Sequence, residues 1–202
     1  MGKIILIGGS PTAGKSFTAR KIAEELKLPW ISTDTIREQM RHLVEKKKYP
    51  SLFLREDESP QASVKFLNKY SAKEIVDLEI KEGKDVWKGV KALIETDYVW
   101  GSYIVEGVAI IPHILKDFIK NRKNIKVLFL IDSNKERVRE TIFKRGLWDY
   151  AKNYPDSVKE KEVEWVLEFN EFIKKEAEKY SFPIIDVGNR KDYLKKIKEI
   201  IN

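Results

Sequence analysis

Eight consecutive residues carry the clearest chemistry in this chain. Gly9-Ser10-Pro11-Thr12-Ala13-Gly14-Lys15-Ser16 fits the pattern G-x-x-x-x-G-K-[ST] at every position. Such a loop binds phosphate through backbone N–H groups, so it needs glycines where the chain must approach the ligand closely. The start of the following helix adds further donors and a favourable dipole. Lys15 is placed to reach the β- and γ-oxygens of a nucleotide, and Ser16 to offer its hydroxyl to magnesium. The candidate nucleotide contacts are therefore Gly9, Thr12, Ala13, Gly14, Lys15 and Ser16, with Thr18 a little further into the helix. Pro11 has no N–H to give and falls early in the loop, where that donor is expendable.

Other candidates sit where strands end. Asp34 lies in Ser32-Thr33-Asp34-Thr35-Ile36-Arg37, just beyond a short apolar segment. It is a candidate base or positioner for an acceptor hydroxyl, with Arg37 one turn later as a partner for an anionic acceptor. Ile104-Val105-Glu106-Gly107 puts a carboxylate at a strand end, suited to magnesium or to the acceptor, and a glycine that lets the chain turn close to a ligand. Arg137, Arg139, Lys144 and Arg145 crowd one later helix. Phosphoryl transfer needs cations on the γ-phosphate, which a mobile lid can deliver. Arg145, beside Gly146, is the favoured lid contact, and Arg139 the next. Asp132 directly precedes a helix start and reads as structural. Gly188-Asn189-Arg190 is a weak candidate for the nucleotide base.

The elements that must hold these residues alternate. Apolar, β-branched segments at 3–7, 29–32, 103–105, 125–131 and 182–187 read as strands, the first and fourth most clearly. Helical periodicity spans 16–27, 34–47, 62–96 with a break near Gly83, 133–145, 157–180 and 191–200. Capping-box spacings occur at Thr35/Glu38, Ser71/Glu74, Ser133/Glu136 and Ser157/Glu160. Alternation of this kind predicts an α/β fold with a parallel sheet covered on both faces, whose carboxyl edge lines the ligand crevice. Residues 1–202 read as one domain. The stretch 35–100 is too long for a simple crossover and reads as an inserted helical, acceptor-binding lobe, and 133–155 as a lid.

Composition narrows the classes. The chain has 202 residues, no cysteine, two histidines and a formal net charge of +7. Disulfides and thiolate zinc sites are excluded. Lysines are spread along the chain, apart from Lys46 to Lys48, which favours a solvated basic surface over a dedicated nucleic-acid arm. No apolar run reaches membrane-spanning length, and a cytoplasmic protein is expected. Trp87, Trp100, Trp148 and Trp165 read as packing residues.

Gly8-Gly9-Ser10-Pro11 resembles the phosphate loop of adenylate kinases, and the chain resembles the P-loop small-molecule kinases of the nucleoside-monophosphate-kinase superfamily. A nearer resemblance is to the archaeal 2-phosphoglycerate kinases. It is carried by Ile7 through Ser16, by Ser32-Thr33-Asp34-Thr35-Ile36-Arg37-Glu38, and by Ile104-Val105-Glu106-Gly107-Val108 leading to Pro112. It covers roughly residues 1–41 and 103–145; the intervening lobe matches poorly. Set against that resemblance, the first strand opens the sequence, and the N-terminal regulatory segment associated with many such kinases is not expected. The resemblance implies a three-layer kinase fold of about five parallel strands in the order 2-3-1-4-5. It also implies ATP and Mg2+, and transfer of the γ-phosphate to a small, anionic metabolite. On that reading Lys15, Asp34, Glu106 and Arg145 are catalytic. Gly9, Thr12 to Ser16, Thr18 and Arg139 hold the nucleotide, Asp34, Arg37 and Gly107 meet the acceptor, and Ser16 and Glu106 hold the metal. A polynucleotide or RNA kinase, and a nucleotide-operated binding module without significant transfer, stay open as alternatives. A switch GTPase is disfavoured because no N-K-x-D guanine motif is present.

Overall fold

The computed structural model describes residues 2–55, 57, 59–96, 99–146, 153–188 and 192–201. Five strands form one sheet: β1 (Ile4–Gly9), β2 (Trp30–Ser32), β3 (Tyr103–Glu106), β4 (Ile125–Ile131) and β5 (Ile184–Asp186). Their spatial order is β2-β3-β1-β4-β5, and every pairing is parallel. The expected order is thus the observed one.

Side chains alternate across a strand, so a strand covered on both faces must be apolar throughout. β1 shows this directly. Ile5 and Ile7 pack with Ala19, Ile22, Ile197 and Ile201, from α1 (Lys15–Leu26) and α8 (Tyr193–Ile201). Ile4 and Leu6 enter the larger core on the opposite face. That core takes residues from α2 (Thr33–Leu43), α3 (Pro60–Lys69), α4 (Ala72–Thr96), α5 (Pro112–Ile119) and α7 (Asp156–Lys179). Among the described residues, α6 (Lys135–Arg145) buries Val138 and Ile142 against Val163 and Val166 of α7. The result is the three-layer arrangement that the alternation of strands and helices predicts.

Between β2 and β3 run α2, a short 3-10 turn at Pro50–Phe53, α3 and α4. The expected helix break near Gly83 does not occur: α4 runs unbroken through that residue. The interruption lies earlier, between Lys69 and Ala72. Gly83 answers a packing need instead, since a Cβ there would sit 2.6 Å from the Ile111 Cδ1 atom. α5 was not legible as a helix.

Of the four expected capping boxes, one forms. The Ser71 N–H donates to Glu74 Oε2 at 2.8 Å, and the Glu74 N–H points back to Ser71 Oγ at 3.4 Å. α2 is capped instead by Ser32, whose Oγ accepts from the Asp34 N–H, and α6 by Asn134, whose Oδ1 accepts from the Arg137 N–H. α7 starts behind Pro155 with no side-chain cap. The caps fall three residues before Thr35 and one residue after Ser133, and α7 has none from a side chain, so spacing alone misplaces the cap. Trp87 and Trp165 are buried as packing residues, whereas Trp100 is exposed. Trp148, Asn189, Arg190 and part of the 133–155 segment lie outside the described residues.

Candidate active site

β1 delivers the phosphate loop at the carboxyl edge of the sheet. Gly9 ends the strand at φ 139°, and a Cβ there would lie 2.1 Å from the Leu130 carbonyl oxygen of β4. Gly14 then takes a left-handed conformation as the N-cap of α1, and it supplies no side-chain cap. The first-turn N–H groups of α1 are therefore left for an anion. Lys15 is only 8% exposed, and its Nζ donates to the Ser10 carbonyl at 2.7 Å. Burial pushes its pKa below the usual lysine value, while Glu106, Asp34 and Glu79 pull it back up. A polyphosphate arriving at this buried ammonium would add to that upward pull.

Glu106 ends β3 next to Ile7 of β1 and Ser32 of β2. It is 1% exposed, and its Oε1 has no hydrogen-bond partner. Burial raises its pKa; Lys15 and the hydroxyls of Ser16 and Ser32 hold it down, and Asp34 adds to the rise. A buried carboxylate oxygen without a donor, beside the Ser16 hydroxyl, fits a divalent cation held by these two residues. Gly107 follows at φ 150°, and a Cβ there would fall 1.7 Å from Thr33 Oγ1. Its N–H is already given to the Ile7 carbonyl. Gly107 thus lets the start of α2 close down on β3, which brings Asp34 towards the loop.

Asp34 is exposed, with its Oδ1 3.6 Å from Arg37 Nη1. Arg37 also reaches Glu38 at 3.0 Å and Glu82 at 3.5 Å. Burial disfavours its charge, but Glu82, Asp34, Glu79 and Glu38 more than offset that, so its pKa rises. Beyond Arg37 lies a small cavity of about 30 Å³ lined by Arg37, Arg41, Leu52, Leu54, Arg55, Phe66, Glu79 and Glu82. Three guanidinium groups converge there with two acids. Only Arg37 was singled out from the sequence.

Glu79 is half-buried and Glu82 buried, on successive turns of α4. Burial raises the pKa of both, and their mutual repulsion adds to the rise at Glu79. A carboxyl raised by folding binds its proton more tightly in the folded chain. Its contribution to stability is full below the ordinary glutamate value of roughly 4.3 and is lost as pH climbs towards the raised value. The melting temperature is expected to fall from pH 5 to pH 8, and Glu79→Gln to flatten that slope. Thermal melts of both proteins across this range check it; equal slopes would contradict the assignment.

On the other side of Lys15 opens a cleft of about 600 Å³ lined by Thr12, Gly14, Lys15, Ser16, Phe17, Thr141, Lys144 and Arg145. Arg145 is the last residue of α6, and Gly146 follows it at φ 77°. Arg139 is not part of this lining. Its guanidinium binds Glu160 of α7 at 2.6 Å and lies 4.0 Å from the centre of the Phe143 ring. Lys144, Thr141 and Phe17 take the places around the cleft. Arg137 is a structural pin, bonded to the Asp132 carboxylate and to the Val187 carbonyl. Thr18 is fully buried, and its hydroxyl has no partner.

No protein-family model matches the chain. Among curated proteins, the 2-phosphoglycerate kinase of Methanococcus vannielii is 29% identical, over 98% of this chain and 64% of its own length. That of Methanocaldococcus jannaschii is 28% identical, over 91% of this chain and 58% of its own. The chain therefore spans about three fifths of the length of the curated relatives it matches. Among solved structures, a shikimate kinase from Bacteroides thetaiotaomicron superposes with a TM-score of 0.50, at 15% identity, covering 98% of this chain and 96% of that one. No helix among the described residues is long and apolar enough to cross a membrane. The chain is thus similar in sequence, along nearly its whole length, to archaeal 2-phosphoglycerate kinases, and in fold to a shikimate kinase.

Proposed function

We propose that this protein transfers the γ-phosphate of ATP to a hydroxyl of a small anionic metabolite, 2-phosphoglycerate being the first candidate. The observation that carries the reading is the cavity beyond Arg37. An RNA kinase needs an open basic groove for a chain of phosphates. A small pocket where three arginines meet Glu79 and Glu82, both with their pKa raised by burial, suits a compact anion. At about 30 Å³ the pocket has room for little more than one water-sized group, so the acceptor enters as the lobe shifts.

In the reaction the acceptor oxygen bonds to the γ-phosphorus as the bond from that phosphorus to the β–γ bridging oxygen breaks, releasing ADP. The hydroxyl proton passes to Asp34 and then to water. Lys15 holds the β- and γ-oxygens, the first turn of α1 holds the phosphates through N–H groups, and Arg145 approaches from α6. Arg37 grips the acceptor's anionic group. Ser16 and Glu106 would hold magnesium, which screens the phosphate charges when it is bound with ATP.

The test is ADP release with a panel of phosphorylated metabolites that includes 2-phosphoglycerate, alongside a 5′-hydroxyl RNA oligonucleotide. Stimulation by a small anion supports the proposal. Stimulation by the oligonucleotide alone makes the protein an RNA kinase, and ATP binding with no stimulated turnover by any acceptor makes it a binding module.

A further inference from the structure

Ser10 ties the phosphate loop together. Its N–H donates to the Leu130 carbonyl at 3.2 Å, and its own carbonyl accepts both Lys15 Nζ at 2.7 Å and the Ala13 N–H at 3.4 Å. Its hydroxyl donates to Asn170 Oδ1 at 2.5 Å, across 160 residues of sequence. Asn170 is 5% exposed in the middle of α7, on a stripe otherwise made of Val163, Val166, Phe169 and Ile173. Its Oδ1 also accepts the Asp132 N–H at 2.9 Å, and its Nδ2 donates to the Asp132 carbonyl at 3.0 Å. The Asp132 backbone offers one donor and one acceptor, so it fixes which way the amide faces. That leaves the Oδ1 aimed at Ser10.

An asparagine on an apolar helix face is costly unless its hydrogen bonds are made. Here every one of them serves either the phosphate loop or the strand end beside it. The loop needs such support. Thr12, a non-glycine residue, is held at φ 62°, and Gly14 at 77°. Residues in sparsely populated backbone regions persist only where their surroundings fix them.

We propose that Asn170 is a positioning residue for nucleotide binding. It fixes Ser10, and through the Ser10 carbonyl it fixes the ammonium of Lys15 before the polyphosphate arrives. The loop then spends little of its binding energy on ordering itself. The proposal rests on the phosphate-loop reading of Gly9 to Ser16, but on no particular acceptor.

A fluorescent ATP analogue is titrated, without any acceptor, into the wild type, Asn170→Ala, Ser10→Ala and the double variant. Melting temperatures are measured without nucleotide. Each single variant is expected to raise Kd by about five- to tenfold, the worth of one buried hydrogen bond. The double variant should lose no more than the weaker-binding single, because both remove the same link. Ser10→Ala keeps the Asn170–Asp132 pairing, so it tests the link even where Asn170→Ala fails to fold. Wild-type affinity in Ser10→Ala, or full additivity in the double variant, overturns the proposal and leaves Asn170 a structural residue. A wild type that does not bind the analogue overturns the phosphate-loop reading itself.

Discussion

Replacing Lys15 by alanine is expected to lower phosphate transfer by about 10²–10³-fold, the range seen when one donor to a developing charge is removed. Lys15 is only 8% exposed at the head of α1, and its ammonium is already held by the Ser10 carbonyl. On the proposed mechanism it would meet the transferring phosphoryl without reorganising, in a site where water screens little. The loss should appear in kcat at saturating ATP as well as in kcat/KM, because the charge it stabilises is greatest in the transition state. The side chain is buried, so Lys15→Met, which keeps the stem, accompanies the alanine. Melts of both variants separate a chemical defect from a packing one. Turnover within twofold of wild type in both would remove Lys15 from the mechanism.

The second large effect is expected at the carboxylates. Asp34→Asn should lower single-turnover transfer by about 10²–10⁴-fold, with little change in ATP affinity, if it takes the acceptor's proton. Asp34 is exposed and near Arg37, so asparagine keeps its shape and removes only its basicity. Glu106→Gln should act differently. Glu106 is buried beside Lys15, and its Oε1 is unpartnered. Losing its charge should raise the magnesium concentration needed for half-maximal rate. Quench-flow transfer at several magnesium concentrations distinguishes the two. If both variants keep wild-type rates and magnesium dependence, Asp34 and Glu106 only shape the ends of β2 and β3.

The features legible in the residues alone are those whose physics is local. The phosphate loop is eight contiguous residues between one strand and one helix, and its glycines, lysine and serine could be picked out by spacing alone. The strands were legible because a parallel strand buried on both faces must be continuously apolar, as Ile4–Gly9 is and as Ile125–Ile131 is apart from the half-buried Lys126. Glu106 was legible because it breaks such a run at its carboxyl end.

What those residues meet depends on how distant helices pack. Arg41, Arg55, Glu79 and Glu82 join Arg37 only because α2, α4 and the segment before α3 pack together; their spacing in the chain carries no sign of a shared pocket. Arg139 and Arg145 sit on one basic helix, and only the packing of α6 on α7 turns the first to Glu160 and leaves the second at the cleft. The Gly83 break was misjudged for the same reason: close approach of the segment at Ile111 is invisible in helix propensity. Asn170 did leave one local signal, a polar residue inside an apolar stripe. Its partner Ser10 lies 160 residues away, and only the closed fold brings the two within a hydrogen bond.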